Sequence, residues 1–227
     1  MQENLDGIVL ASQSPRRREM LAWLGLPFRA AEAAVNEDPL PGEAPAALAL
    51  RLARAKACAG NGYDASSLVL SADTVVELEG ASLGKPADAA EAWSMLTALR
   101  GKEHAVHTGV ALWNPQTRHL SLRIVSTIVA LRMTSDAEIA AYIDTGDPFD
   151  KAGAYAIQHA GFHPVERLGH CYANVVGLPL CAVLALLAES AGHAPEAHAM
   201  ALCRARFGYT CPGPDWGQSC ITEGPRL

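Results

Sequence analysis

Positive charge is scarce in this chain: 18 Lys and Arg stand against 24 Asp and Glu, a formal net charge of -6. No overall basic field exists to hold DNA, RNA or an anionic membrane, so direct nucleic-acid binding is not expected and any basic site must be local. No apolar stretch approaches the roughly 20 residues of a membrane span. The opening MQENLDGIVLAS carries acids and only a short apolar run, unlike a signal peptide, so a soluble, cytoplasmic protein with no membrane partner is expected. The six cysteines, at 58, 171, 181, 203, 211 and 220, include no C-x-x-C pair. This excludes a zinc knuckle or a redox pair of that spacing and leaves most of them as reduced thiols. The eight histidines form no HExxH-like cluster, no defensible Ser-His-Asp order is present, and the glycine-rich pattern of a P-loop is missing.

What is present is enough apolar residue for one full core: half of 227 residues are hydrophobic. Ile8–Ser12 reads as a buried strand. Ser14 and Pro15 then supply an N-cap and a first helical position, with Met20, Leu21 and Leu24 as the apolar face and Gly25 as the stop. A second helix is expected from Pro45 to Ala59 before Gly60, and a strand over Ser67–Leu78. Asp88 and Glu91 form a capping-box pattern for a helix through Leu99, as do Ser135 and Glu138 for a helix ending near Gly146. His107–Trp113 and Leu120–Met133, separated by the turn-type NPQTRH, predict an antiparallel hairpin, and VVGLPL leads into a helix over Leu180–Glu189. This order fits an α/β domain with a mixed sheet over residues 1–192. Residues 193–227, broken by Pro and Gly, read as a C-terminal extension packed on it. Its His193, His198, Cys203, Cys211 and Cys220 match no common metal-ligand spacing.

Three features carry chemistry. Arg16, Arg17 and Arg18 crowd a helix N-terminus, where cations oppose the macrodipole at a cost of roughly 0.3–1 kcal/mol each and backbone N–H groups favour an anion. A phosphate bound by the serine-rich turn would reverse that sign; the alternative is three solvated arginines on a surface helix. Asp73 is a lone acid in an apolar strand, costly unless a cation, a metal or a donor meets it; it reads as a metal ligand, a base for water, or a turn former beside Thr74. Lys85, in the tight loop GKP, follows soon after. Asp150 and Lys151, with Gly153, Tyr155 and Gln158, offer glycines for close backbone approach and an amide that can donate to and accept from a nucleobase edge, or else an ordinary connection.

Taken together, LASQSPRR, SADTVV, LGKP, DKAGAYAIQ and NVVGLPL, in one order over residues 8–190, resemble the Maf family of septum-formation-inhibitor-like proteins. The resemblance implies a homodimeric, metal-dependent nucleoside triphosphate pyrophosphatase that cleaves between the α and β phosphates. It also implies an elongated mixed β-sheet flanked by helices, with two lobes around a deep cleft, similar to inosine-triphosphate pyrophosphatases. Carried over by motif, Asp73 matches the proton acceptor. Ser12, Arg16 and Arg17 match the phosphate-binding turn, and Lys56 and Lys85 two further basic positions. Glu37 matches an acid near the metal, Mg²⁺ or Mn²⁺, and with Asp73 is a candidate ligand. Arg16, Thr74 and Gln158 match positions associated with base selection, and Gln158 resembles the branch acting on dTTP and UTP. Ala156 and His159 stand where that branch usually has glycine, and Asn36 replaces a frequent acid. The competing readings are a broad-specificity or modified-nucleotide pyrophosphatase and a non-catalytic nucleotide-binding regulator of cell division.

Overall fold

Strand β1 (Ile8–Ala11) is buried along its whole length because it runs between two parallel neighbours, β2 (Phe28–Ala31) and β3 (Leu68–Leu78). Parallel pairing needs crossovers, and α1 (Pro15–Ala22) and α2 (Pro45–Cys58) lie on those connections. This computed structural model describes residues 7–59, 63, 66–191, 196–211 and 220–223. Beyond β3 come β4 (Ala81–Leu83), α3 (Ala89–Leu99), the long hairpin β5 (Glu103–Asn114) and β6 (His119–Leu131), and α4 (Asp136–Asp144). Two 3₁₀ turns (Asp147–Asp150, Ala152–Ala154), β7 (Val165–Leu168), α5 (Tyr172–Val176), α6 (Leu180–Ala191), α7 (Glu196–Phe207) and β8 (Cys220–Glu223) follow. Among the described residues the sheet has eight strands, ordered β2-β1-β3-β5-β6-β7, with β4 on β3 and β8 on β6. All pairings except those of β1 are antiparallel, so the sheet is mixed and helix-flanked, as expected.

The long central strands serve two cores. Leu70, Val110 and Val125 join β1, α1, α6 and α7 in one cluster, while Val76, Val106 and Val129 join α3, α4 and the second 3₁₀ turn in another. These are the two lobes. The opposite sheet face is covered by α2 through Leu48, Ala49 and Leu52 against Val75. Side chains alternate across a strand, so Asp73 shares the α2 face with Val75, and Thr74 shares the other with Val76. Gly109 sets how closely α2 approaches. It pairs with Asp73 across β3 and β5, and a Cβ there would sit 2.5 Å from the Ala49 carbonyl oxygen. Only hydrogen fits, which brings Lys56 within reach of Asp73.

The register leaves one gap. β1 pairs with β3 only at Leu68–Leu70 and β4 only at Val76–Leu78, both on the edge away from β5. Among the described residues, none therefore forms a strand beside residues 71–75 of β3 on that edge. Ser12 leaves β1 at one side of the gap, and Lys85 leaves β4 at the other.

Three local expectations shift. α1 ends at Ala22, with Trp23–Gly25 forming a turn. At α3, Asp88 accepts from the Glu91 N–H at 2.8 Å, but the Glu91 carboxylate takes the Ala87 N–H at 2.7 Å, one residue earlier than a capping box requires; the box at Ser135 and Glu138 is complete. The C-terminal region contains a helix that the Pro and Gly pattern hid: α7 buries Ala199 and Cys203 in the first core, and Phe207 packs on Trp23 and Tyr172. Gly60, Gly192 and His193 lie outside the described residues, as do the side chains of His198 and Cys220. Among the described residues no group of three or more His, Cys, Asp or Glu could hold a metal, Cys58, Cys171, Cys181, Cys203 and Cys211 are thiols, and no helix is long and apolar enough to cross a membrane.

Candidate active site

A cleft of about 790 Å³ opens over the gap in the sheet. Eleven of the residues singled out from the sequence line it: Ser12, Arg16, Arg17, Glu37, Lys56, Asp73, Thr74, Lys85, Asp150, Lys151 and Gln158. They arrive from β1 and its loop, α1, the β2–α2 connection, α2, β3, the loop after β4 and the segment following α4.

The turn after β1 ends in an N-cap, where the Ser14 hydroxyl accepts the Arg17 N–H at 3.4 Å, and no acid occupies the first turn. The three arginines behind it part company. Arg18 is exposed. Arg17 turns inward: its Nε donates to the Gly177 carbonyl at 2.8 Å, its Nη2 to Thr74 Oγ1 at 3.0 Å and its Nη1 to Ser12 Oγ at 3.4 Å. Burial lowers this guanidinium from its ordinary value, and the Asp73 carboxylate pulls the other way. Thr74 passes its own proton to Thr108 at 2.9 Å, since Thr108 spends its proton on the Asn174 carbonyl at 3.0 Å. Thr74 thus spends its only proton within the protein and accepts one of the bonds that fix Arg17. Arg16 reaches across the cleft to Asp150, at 2.8 Å from the carboxylate and 3.3 Å from the carbonyl.

On the α2 side, Lys56 Nζ lies 2.5 Å from Asp73 Oδ1 and 2.6 Å from Glu37 Oε1. Asp73 is only 7% exposed, and its second oxygen has no hydrogen-bond partner among the described residues. The acid that the sequence left costly is met by a cation from the buried stripe of a helix. Burial pushes Glu37 up, but the hydrogen bond from Lys56 and the charges of Lys56, Lys85 and Arg17 outweigh it, so its carboxyl lies below the ordinary value. Lys85 is exposed at the mouth.

On the far wall, Lys151 Nζ donates to the Asp147 carbonyl at 2.6 Å, to its carboxylate at 2.9 Å and to Asp150 at 2.6 Å, so all three protons are taken. Gly153, at φ 70, packs against Val76, where a Cβ would be 3.0 Å from a methyl carbon. This close approach seats the segment on β3. Gln158 is exposed to the cleft, and Ala156 behind it is buried.

Sequence reasoning missed Thr108, Asp147, Tyr142 and the Gly177 carbonyl. Asp147 had one signal, its position four residues before Lys151; the others depend on strand register and loop path, which no local pattern carries.

A family model for Maf-like proteins matches residues 7–190. A dTTP/UTP pyrophosphatase of Geobacter sulfurreducens is 48% identical over 177 residues, 78% of this chain and 93% of that protein. Proteins of the same name from Anaeromyxobacter dehalogenans and Myxococcus xanthus are 50% and 48% identical, covering 79% and 82% of this chain and 92% of each relative. With the expected motifs gathered on one cleft and the match spanning nearly all of both lobes, the chain belongs to the Maf-like family.

Proposed function

We propose that the protein hydrolyses dTTP and UTP, using one water, to the nucleoside monophosphate and pyrophosphate. The relatives' shared name supports the substrates. The observation that carries the reading is Asp73: a buried carboxylate with one oxygen on Lys56 and the other without a partner among the described residues, at the floor of a cleft rimmed by cations. In-line displacement at phosphorus asks mainly for positioning and charge neutralisation.

Asp73 takes the proton of the attacking water at its second oxygen. Lys56 keeps that carboxylate oriented, and its third N–H is left for a phosphate oxygen. Arg17, pinned by Gly177 and Thr74, presents a fixed guanidinium edge beside Ser12. Arg16 exchanges Asp150 for the polyphosphate, Lys85 neutralises it at the mouth, and Gln158 reads the base edge.

Two carboxylates converging on one cation are hard oxygen donors, the set that suits Mg²⁺ or Mn²⁺ completed by phosphate oxygens and water, in place of an all-protein cage. Asp73 and Glu37 would hold such an ion, which supplies charge neutralisation and polarisation at the phosphates.

Pyrophosphate release from dTTP, UTP, CTP, GTP and ATP, each with Mg²⁺ or Mn²⁺, tests this. Turnover of dTTP and UTP well above the rest is expected. Equal rates across the panel would make the enzyme a broad nucleotide pyrophosphatase, and no turnover by folded protein would end the enzymatic reading.

A further inference from the structure

Gln158 sits at the tip of a turn in which the His159 N–H donates to the Ala156 carbonyl at 3.3 Å. A tip residue is only as well aimed as its turn is anchored, and both ends of this one meet Tyr142 of α4. The Tyr142 hydroxyl accepts the Ala156 N–H at 3.0 Å, and its ring meets the His159 imidazole edge-on, with centroids 4.8 Å apart. His159 closes the chain behind the tip, its Nδ1 accepting the N–H groups of Phe162 at 2.9 Å and Gly161 at 3.3 Å. Phe162 in turn stacks on the other part of the assembly, its ring 4.3 Å from Tyr142 and nearly parallel.

Tyr142 is itself fixed. It is 2% exposed, and its hydroxyl spends its only proton on Asp147 Oδ2 at 2.7 Å. Burial, then the hydrogen bond and charge of Asp147, hold the phenol far above its ordinary pKa, so it stays a donor. Asp147 is gripped by Lys151, Lys151 by Asp150, and Asp150 by Arg16. One hydrogen-bonded chain therefore runs from the backbone beside Gln158 to the arginine on the phosphate side.

We propose that Tyr142 is a positioning residue for base recognition, holding the Ala156–His159 turn so that the Gln158 amide meets a pyrimidine edge. Ala156 and His159, in place of glycines, are parts of the same anchor. This rests on the proposed dTTP/UTP activity and adds to it a residue that touches neither substrate nor reacting atoms.

The test is Tyr142→Phe, which keeps the ring packing and removes one hydroxyl. Binding of α,β-methylene-UTP should weaken about tenfold, the size of one neutral hydrogen bond with its partner left unmet. Binding of inorganic tripolyphosphate, which has no base, should change less than about twofold. For dTTP and UTP the loss should fall on KM, with kcat near wild type. In a Gln158→Ala background the same substitution should add little, because coupled residues are not additive. Equal weakening toward tripolyphosphate and nucleotide, or a full penalty in the Gln158→Ala background, would overturn the assignment. If Tyr142→Phe melts well below wild type, both ligands are compared at a temperature where the variant is fully folded, and equal weakening toward the two there would likewise overturn it. Wild-type protein that binds tripolyphosphate but neither turns over dTTP and UTP nor binds the analogue would remove the functional reading itself.

Discussion

The cleft contains the same chemical group twice. Lys56 lies between Asp73 and Glu37, and Lys151 lies between Asp147 and Asp150, each ammonium facing two carboxylates within 3 Å. The two differ in what is left over. Lys151 spends all three protons, the third on a backbone carbonyl, and its carboxylates are further engaged by Tyr142 and Arg16. Lys56 spends two, and one oxygen of Asp73 has no partner among the described residues. A saturated group can only hold structure together. An unsaturated one, buried at the gap of a sheet, has capacity for a water proton and a phosphate oxygen.

The largest effect should come from removing the spare capacity. Asp73→Asn keeps the shape, still accepts from Lys56, and loses the proton acceptor, so kcat for dTTP and UTP should fall by about 10²–10⁴, the range of a positioned general base. Nucleotide binding should survive, read as a rise in melting temperature with the non-hydrolysable analogue. An undiminished kcat would move the base elsewhere and dissolve the distinction between the two groups.

Lys151→Met should act on stability instead. Removing one partner of a buried pair costs about 3–5 kcal/mol, but Asp150 is largely open to solvent, so about 1–3 kcal/mol is expected, or about 2–12 °C in melting temperature for a chain of this size. The pH dependence has a definite sign. Burial raises Asp147 and Asp150, but Lys151, with Tyr142 for the first and Arg16 for the second, outweighs it, so both carboxyls lie below their ordinary value. Their contribution is complete above the unfolded value of about 3.9 and is lost as pH falls through the lower folded values. The gap in melting temperature between wild type and variant should therefore be full at pH 7 and close below about pH 4. A gap that widens in acid would contradict the saturated reading.

The two groups were not equally legible. Asp73 announced itself, because a lone acid in SLVLSADTVVEL must be met by something, and the helix carrying Lys56 could be drawn from its apolar stripe. What joined them could not be read: the approach of α2 depends on Gly109, which lies opposite Asp73 only through the β3–β5 register. Lys151 could be expected at the ligand, but the bonds that take its three protons depend on the 3₁₀ path of Asp147–Asp150, which no local pattern carries. The sheet, its hairpin and five helices, α1 to α4 and α6, were visible as periodicity and caps. The short strands β2, β4 and β7 were not, since each has only three or four residues and half-exposed faces. α7 escaped because EAHAMALCRARF has a weak apolar stripe and sits among Pro and Gly breakers.

The smallest effect belongs to the link between the groups' two walls. Asp150 is 58% exposed at its side chain, and an exposed bridge to Arg16 is worth about 0–1 kcal/mol. If Arg16 must leave Asp150 to meet the polyphosphate, that bridge competes with substrate. Asp150→Asn should then lower KM for dTTP by up to about fivefold at low salt, with kcat unchanged, and the gain should shrink as salt screens the pair. Arg18→Ala, on the exposed side of the same helix, should leave KM where it was. A higher KM in Asp150→Asn would instead make Asp150 one of the groups that hold substrate. The second group would then share the work of the first, and saturation in the ligand-free protein would no longer separate structural cations from functional ones.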